Sequence, residues 1–304
     1  MTNKPEFLII GGQKCATTWL YKCLKEHPQL YLPPYKRDID HIASELYLKR
    51  GIDHYFDNFK DARENQKIVD ISVEYLFNRI CAEIVNQYLP NTKLIVSLRD
   101  PIDRAISAYF WYLRKGYIPD LPINKGMKLI IKQKSGQINL EVDEIYKSIL
   151  ERGFYDVQIN RYLKFFDKKN FLFILYDHIS ENPEEVVARV FQFLEVSNNF
   201  KPSNITSKPL ANTYFKPILW LERRYPGSLS GPSFGARLFS KIADASNQFI
   251  IKMGFQSQKP KLHEQIRVEL QTIYRPHIQE LLNILSNANL IGEAYLPNLL
   301  ERWS

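Results

Sequence analysis

Lys14, Thr17 and Thr18 stand between a short apolar run and a helical pattern, in Phe7-Leu8-Ile9-Ile10-Gly11-Gly12-Gln13-Lys14-Cys15-Ala16-Thr17-Thr18-Trp19-Leu20. A strand, a glycine turn carrying a lysine, and two hydroxyls opening a helix make a cradle for a phosphate. The helix N-terminus supplies unpaired N–H groups and the positive end of a dipole. The nucleotidase pattern G-x-x-x-x-G-K-[ST] does not fit this stretch. Laid on Gly11, it puts Ala16 where the second glycine belongs and Thr17 where the lysine belongs, with only Thr18 agreeing. Lys14 is displaced toward the strand, away from where the β/γ-phosphates and Mg²⁺ of ATP would need it. An ordinary buried strand running into a Thr-capped helix explains the apolar run, but not Lys14 between Gly12 and Thr17.

A second anion site is written in Lys93-Leu94-Ile95-Val96-Ser97-Leu98-Arg99-Asp100-Pro101-Ile102-Asp103-Arg104-Ala105-Ile106-Ser107. Arg99 leaves the carboxyl end of an apolar strand, and Asp100 with Pro101 announces a helix as N-cap and first residue. Ser107 falls about two turns into that helix. A guanidinium fork plus a hydroxyl suits a phosphate monoester. The plainer alternative places Arg99 and Arg104 in surface ion pairs, for which Asp100 and Arg104 have the right i, i+4 spacing.

The two segments together resemble the sulfotransferases that use 3′-phosphoadenosine 5′-phosphosulfate (PAPS), in their bacterial and Golgi carbohydrate-type branch. The family's cradle reads like G-x-Q-K-x-G-T-T-x-L, matched here except for Ala16 in place of glycine. The resemblance implies that Lys14, Ala16, Thr17, Thr18 and Trp19 hold the 5′-phosphosulfate, and that Arg99 and Ser107 hold the 3′-phosphate. It also implies that Tyr176, in Ile174-Leu175-Tyr176-Asp177, packs on adenine. Weaker echoes are Asp70-Ile71-Ser72-Val73-Glu74-Tyr75 on E-x-S-P-x-Y and Gly153-Phe154-Tyr155 through Leu163 on a G-x-Y helix. Altogether the likeness runs from about residue 6 to 196. The R-K-G-x-x-G-D-W loop of cytosolic phenol and steroid enzymes is absent, and Ser207 to Asn212 is the candidate replacement as the nucleotide's cover.

Catalysis of this kind needs a base for the acceptor hydroxyl and positive charge on the leaving phosphate. Lys14 is the candidate on the leaving-group side. For the base, the family has a segment like P-x-x-K-E-x-H-F-F, matched by Pro34-Tyr35-Lys36-Arg37-Asp38-Ile39-Asp40-His41-Ile42. Asp38 falls on the glutamate, Asp40 on the histidine and His41 on an aromatic. Asp38 is therefore the expected base, with His41, poised near neutral pH, as the second candidate. A solvated charged loop leading into a helix over Ile42 to Leu48 is the structural alternative.

The net charge of +8, from 41 Lys+Arg against 33 Asp+Glu, favours anionic ligands. The basic residues are spread along the chain and no zinc-finger or RNP-like motif occurs, so nucleic acid is not the expected partner. The expected acceptor is a small molecule, carbohydrate or lipid bearing a hydroxyl or amine, its identity and the oligomeric state being left open. Cys15, Cys23 and Cys81 are scattered and no metal-ligand spacing appears, so no metal is expected and the thiols suit a reducing, cytoplasmic setting. Met1 to Glu6 lead straight into the first strand, leaving no room for a signal peptide, and no apolar stretch approaches bilayer length.

These residues need a scaffold. Strands are expected at Phe7 to Ile10, Ile68 to Ile71, Leu94 to Leu98 and Phe171 to Leu175. Helices are expected at Thr17 to Glu26, Glu74 to Leu89, Ile102 to Leu113, Tyr155 to Phe165 and Pro183 to Leu194. Their alternation predicts an α/β, P-loop-like, doubly wound and mostly parallel sheet with helices on both faces, and ligands beyond the carboxyl ends of the strands. A single domain over 1–304 is expected, with a core of about 6–200. A helical C-terminal cover follows, its long helices at Phe234 to Met253 and Leu262 to Leu285. Gly116 to Glu144 reads as a long connection, serving as a lid, an acceptor clamp or a disordered insertion. The functional alternatives are an ATP-dependent nucleoside or nucleotide kinase with a degraded P-loop, and a nucleotide-binding protein without catalysis.

Overall fold

A computed structural model describes residues 3–34, 41–114, 117–137, 143–206, 261–286 and 288–303. In chain order the elements are β1 (Phe7–Gly11), α1 (Thr17–Lys25), β2 (Leu30–Tyr31), α2 (Glu45–Arg50), α3 (Ile52–Phe56), β3 (Lys67–Ile71), α4 (Glu74–Phe77) and α5 (Cys81–Tyr88). They continue with β4 (Lys93–Leu98), α6 (Pro101–Arg114), α7 (Ile123–Lys134), α8 (Asp143–Glu151), α9 (Tyr155–Leu163), β5 (Phe171–Leu175), α10 (Tyr176–Glu181) and α11 (Pro183–Phe193). The last described elements are α12 (Glu264–Leu285), β6 (Leu290–Ile291) and α13 (Leu299–Arg302).

All six strands join one sheet in the order β2-β3-β1-β4-β5-β6, every neighbouring pair parallel. Every residue of β1 and β5 is buried, the mark of a parallel sheet covered on both faces. Phe7, Ile9, Val69, Ile95, Leu172 and Ile174 pack with Trp19, Leu20, Cys23 and Leu24 of α1 and with Val186, Val190 and Phe191 of α11. The alternating residues Leu8, Ile10, Leu94 and Val96 are buried on the opposite face. From β1 the chain crosses to the edge strand β2 and steps back to β3 beside β1, then crosses to β4 on the other side and continues outward to β5 and β6. The switch in winding direction thus falls between β1 and β4, where open α/β sheets form their ligand crevice.

The four expected strands are present: β5 has the expected bounds, and β1, β3 and β4 are each longer by one residue at one end. β2 and β6 are two residues each and were not expected. The C-terminal part is therefore not purely helical: after α12, Leu290–Ile291 adds a parallel edge strand to β5. The expected helix over Glu74 to Leu89 is two helices, because the Asn78 side chain accepts the Ile80 N–H at 3.1 Å and turns the chain between them. The helix expected at Ile42 begins instead at Glu45, with Ser44 as its N-cap. The expected helix over Phe234 to Met253 and the Ser207 to Asn212 loop lie outside the described residues.

The chain divides into two compact units: Met1–Arg104 with Arg152–Pro209 and Gln271–Ser304, and Ala105–Glu151 with Leu210–Leu270. The first holds the whole sheet. In the second, the stretch read as a long connection carries α7, whose Ile123, Met127 and Ile130 are buried on one face while Lys125, Lys128 and Lys132 are exposed on the other. Gly126 lets α7 approach Tyr109 of α6: a Cβ there would collide with the phenol ring, whose hydroxyl donates to the Leu121 carbonyl at 2.7 Å.

Candidate active site

The cradle leaves β1 beside β4. The Gly12 N–H donates to the Ser97 carbonyl at 2.7 Å, and the Ser97 hydroxyl donates to the Cys15 carbonyl at 2.5 Å, so the turn is stitched to the neighbouring strand at two points. A Cβ at Gly12 would stand 3.2 Å from Cys15 Sγ and 3.4 Å from the Ser97 carbonyl oxygen, so glycine keeps the turn close to β4. Lys14 and Ala16 both adopt left-handed backbone, with φ of 67° and 66°. That double reversal aims the chain back into α1. The first bond closing α1 from its cap runs from the Leu20 N–H to the Ala16 carbonyl, so the Thr17, Thr18 and Trp19 N–H groups precede it as helix-start donors. Thr18 is exposed and Thr17 is buried. Trp19 is also buried, its indole N–H donating to the Ile205 carbonyl at 3.3 Å. Trp19 therefore has its backbone N–H to offer a ligand, while its ring is core.

The second anion segment folds as its sequence indicates. Asp100 caps α6, its carboxylate accepting the Asp103 N–H at 2.8 Å, and Pro101 is the first helical residue. Arg99 leaves β4 and reaches back over the cradle, with Nη1 3.5 Å from the Lys14 carbonyl oxygen. Its guanidinium lies 4.4 Å from the centroid of the Tyr176 ring, a cation–π contact that fixes the plane of the fork. Asp103 stands 3.7 Å away and leaves most of the fork's donors uncommitted. The fold thus brings together Lys14, Arg99 and Tyr176, from the ends of β1, β4 and β5. One face of Tyr176 is taken by Arg99. Ser107 is half-buried on α6, in the second unit.

Two residues of this site carried no such signal in the sequence. Tyr155, at the start of α9, donates its hydroxyl to the Arg99 carbonyl at 2.9 Å and stands 3.6 Å from Cys15 Sγ, bracing both anion loops at once. Burial, reinforced by the nearby Cys15, pushes this phenol well above its ordinary range, so it stays a donor. Arg104 is fully buried rather than on the surface. It hydrogen-bonds Tyr274, a phenol pushed up to about 12 chiefly by burial. Burial raises the Cys15 thiol as well, only partly opposed by its bond to Tyr155 and by the charges of Arg104, Arg99 and Lys14. Cys15 is therefore a packed thiol, and three cations surround the floor of the cradle.

On the other side of β1, the base segment is only partly described, and Asp38 lies outside the described residues. His41, near its end, is buried at 5% exposure; its Nδ1 accepts the Ala43 N–H at 3.2 Å and lies 3.3 Å from Cys81 Sγ. Those contacts make His41 a packing residue, in keeping with the aromatic position it occupies. Asp70, on β3, is buried and accepts the Tyr75 hydroxyl at 2.6 Å and the Tyr55 hydroxyl at 2.8 Å on one carboxylate oxygen. No group of metal-ligating side chains occurs among the described residues. Nor, among them, is any helix long and apolar enough to cross a membrane.

A parallel sheet with a left-handed turn after β1 and an arginine leaving β4, at the switch point, is the P-loop-like class of α/β fold. Within that class the model of the sulfotransferase domain family matches residues 4–282, and the chain belongs to that family. It is 24% identical over 294 residues to the membrane-associated sulfotransferase kil1 of Dictyostelium discoideum, covering 71% of this chain and 62% of that protein. It is 28% identical over 195 residues to the human heparan sulfate glucosamine 3-O-sulfotransferase 6, covering 62% of this chain and 52% of that one. The chain therefore spans between about half and just under two thirds of these relatives' lengths. A sulfotransferase structure from Alicyclobacillus acidocaldarius shares the fold with a TM-score of 0.62 at 22% identity, over 93% of this chain and 96% of that one.

Proposed function

We propose that this chain transfers a sulfuryl group from PAPS to a hydroxyl or amine of an acceptor. The observation that carries it is the meeting of the Lys14 cradle and Arg99 at the β1/β4 crevice. The site suits a nucleotide phosphorylated at both ends of its ribose: a helix start with two threonines at one end, and a half-buried arginine fork locked on Tyr176 at the other. The kinase alternative falls with the family assignment.

When bound, PAPS supplies the electrophilic sulfuryl group and a phosphate leaving group. Lys14 places its charge on the cradle, where it balances the negative charge that grows on the leaving oxygen. The helix-start N–H groups and the Thr17 and Thr18 hydroxyls orient the same end. Arg99 and Ser107 hold the other phosphate, and Asp38 takes the acceptor's proton. A carbohydrate acceptor is part of this proposal, supported by the human relative named for heparan sulfate and by the net charge of +8. So is a cytoplasmic location, supported by three buried free thiols.

The test is a binding cycle with 3′-phosphoadenosine 5′-phosphate (PAP) and adenosine 5′-monophosphate, on the wild type and on Arg99→Lys. Lysine keeps the charge and loses the fork, so PAP affinity should fall by roughly ten- to a hundredfold, the worth of one or two charge-assisted hydrogen bonds. Monophosphate affinity should hardly change. Equal losses for both ligands would remove Arg99 from the 3′-phosphate.

A further inference from the structure

Asp70 is an expensive residue. Its carboxylate is 2% exposed and, among the described residues, meets two neutral tyrosines and no cation. A buried anion is costly unless it is paired or hydrogen-bonded, so these two bonds must be kept. Tyr55 and Tyr75 are fully buried, and their hydroxyl oxygens lie 2.9 Å apart. Both phenols are pushed well above their ordinary range, by burial first and by the charge of Asp70 second, so both remain donors. The shared carboxylate oxygen accepts both protons and has none to give back, so each hydroxyl points inward.

The consequence falls on Tyr75. With its only proton committed to Asp70, its oxygen can only accept, and the Ile42 N–H stands 3.3 Å away. Ile42 follows His41, where the chain leaves the stretch that carries Asp38. The other end of Tyr75 is equally constrained. Tyr162 donates to the Tyr75 carbonyl at 2.8 Å, Arg161 to the Phe77 carbonyl at 3.0 Å, and Arg152 grips Glu74 at 2.7 and 2.8 Å while stacking on Phe77. α4 is thus clamped to α9, and Tyr75 reaches from it to the backbone of residue 42.

We propose that Asp70 and Tyr75, assisted by Tyr55, are positioning residues: they fix the Ile42 backbone and through it the end of the base-bearing segment. The role presupposes Asp38 as the base under the proposed function. A loose anchor would let a base drift, and displacements of about 1 Å cost on the order of a hundredfold in turnover.

Tyr75→Phe in the full chain tests this with two readouts. Hydrogen exchange at the Ile42 amide should accelerate roughly tenfold, since its acceptor is gone while the ring remains. Turnover should fall by about ten- to a hundredfold with PAP affinity unchanged. On an Asp38→Asn background, the same substitution should cost less than about twofold further, because there is no longer a base to misplace. A general structural defect would slow both backgrounds equally and would overturn the role, as would unchanged exchange at Ile42 in the folded variant. Should Tyr75→Phe fail to fold, Asp70→Ala, which removes the oxygen that both hydroxyls share and frees the Tyr75 proton, must move both readouts the same way. Full turnover in Asp38→Asn alone would instead refute that base, and with it the catalytic half of the role; exchange at Ile42 would still decide the anchor.

Discussion

Replacing Ala16 by glycine should stabilise this protein, although glycine does the opposite in the interior of a helix. Ala16 caps α1 with φ 66° and ψ 20° and makes no side-chain capping bond. For an L-residue, left-handed backbone of this kind costs roughly 1–2 kcal/mol, because Cβ crowds the following carbonyl. Glycine removes that cost but brings extra freedom to the unfolded chain, worth about 0.4–1 kcal/mol. The difference is a gain of about 0.5–1 kcal/mol, less a little contact, since Ala16 is only half-buried against the core. For a chain of this size that corresponds to a rise in melting temperature of about 1–2 °C. Urea and thermal unfolding measure it directly, and the sign decides. At an ordinary φ, alanine to glycine lowers stability by about 0.5–1 kcal/mol. A lower midpoint with an unchanged urea slope would mean that the left-handed turn carries no strain, and the account of the cradle would be wrong. Ala16→Val offers the opposite check, since a β-branched residue is worse still in this conformation.

Three further outcomes follow from the same geometry. Lys14→Ala should slow transfer far more than it weakens PAP binding, because the charge it meets appears only as the bond to sulfur breaks; single-turnover rates beside calorimetry with PAP separate the two, and a normal rate would end this role. Asp38→Asn should lower turnover by roughly a hundredfold to ten-thousandfold with PAP affinity nearly unchanged, while His41→Phe, at a packed position, should keep its activity; the reverse pattern would move the base to His41. Gly126→Ala should destabilise the protein by about 1–3 kcal/mol, because its Cβ can be admitted only by moving the buried Tyr109 ring off its bond to Leu121, and a chemical-denaturation midpoint equal to the wild type's would show that α7 does not pack there.

What the sequence determined by itself was local chemistry. β1, β4 and β5 are legible because a strand covered on both faces must be continuously apolar over its own few residues. The start of α6 is legible because Asp100 and Pro101 act within one turn, and the cradle because its lysine and threonines surround a single bend. The tertiary structure decided everything that depends on which strand lies beside which. Only the order β3-β1-β4-β5 brings Arg99 over the Lys14 turn and onto Tyr176. Two-residue strands such as β2 and β6 are too short to show a period, so pairing alone reveals them. Arg104 shows the same limit from the other side. Its spacing from Asp100 suits an exposed position, yet it is fully buried and bonded to Tyr274, far along the chain. Asp70 likewise sits at a strand end that any carboxylate might occupy; its meaning comes from Tyr55, Tyr75 and the Ile42 backbone, three groups that meet it because the sheet and α4 bring them there.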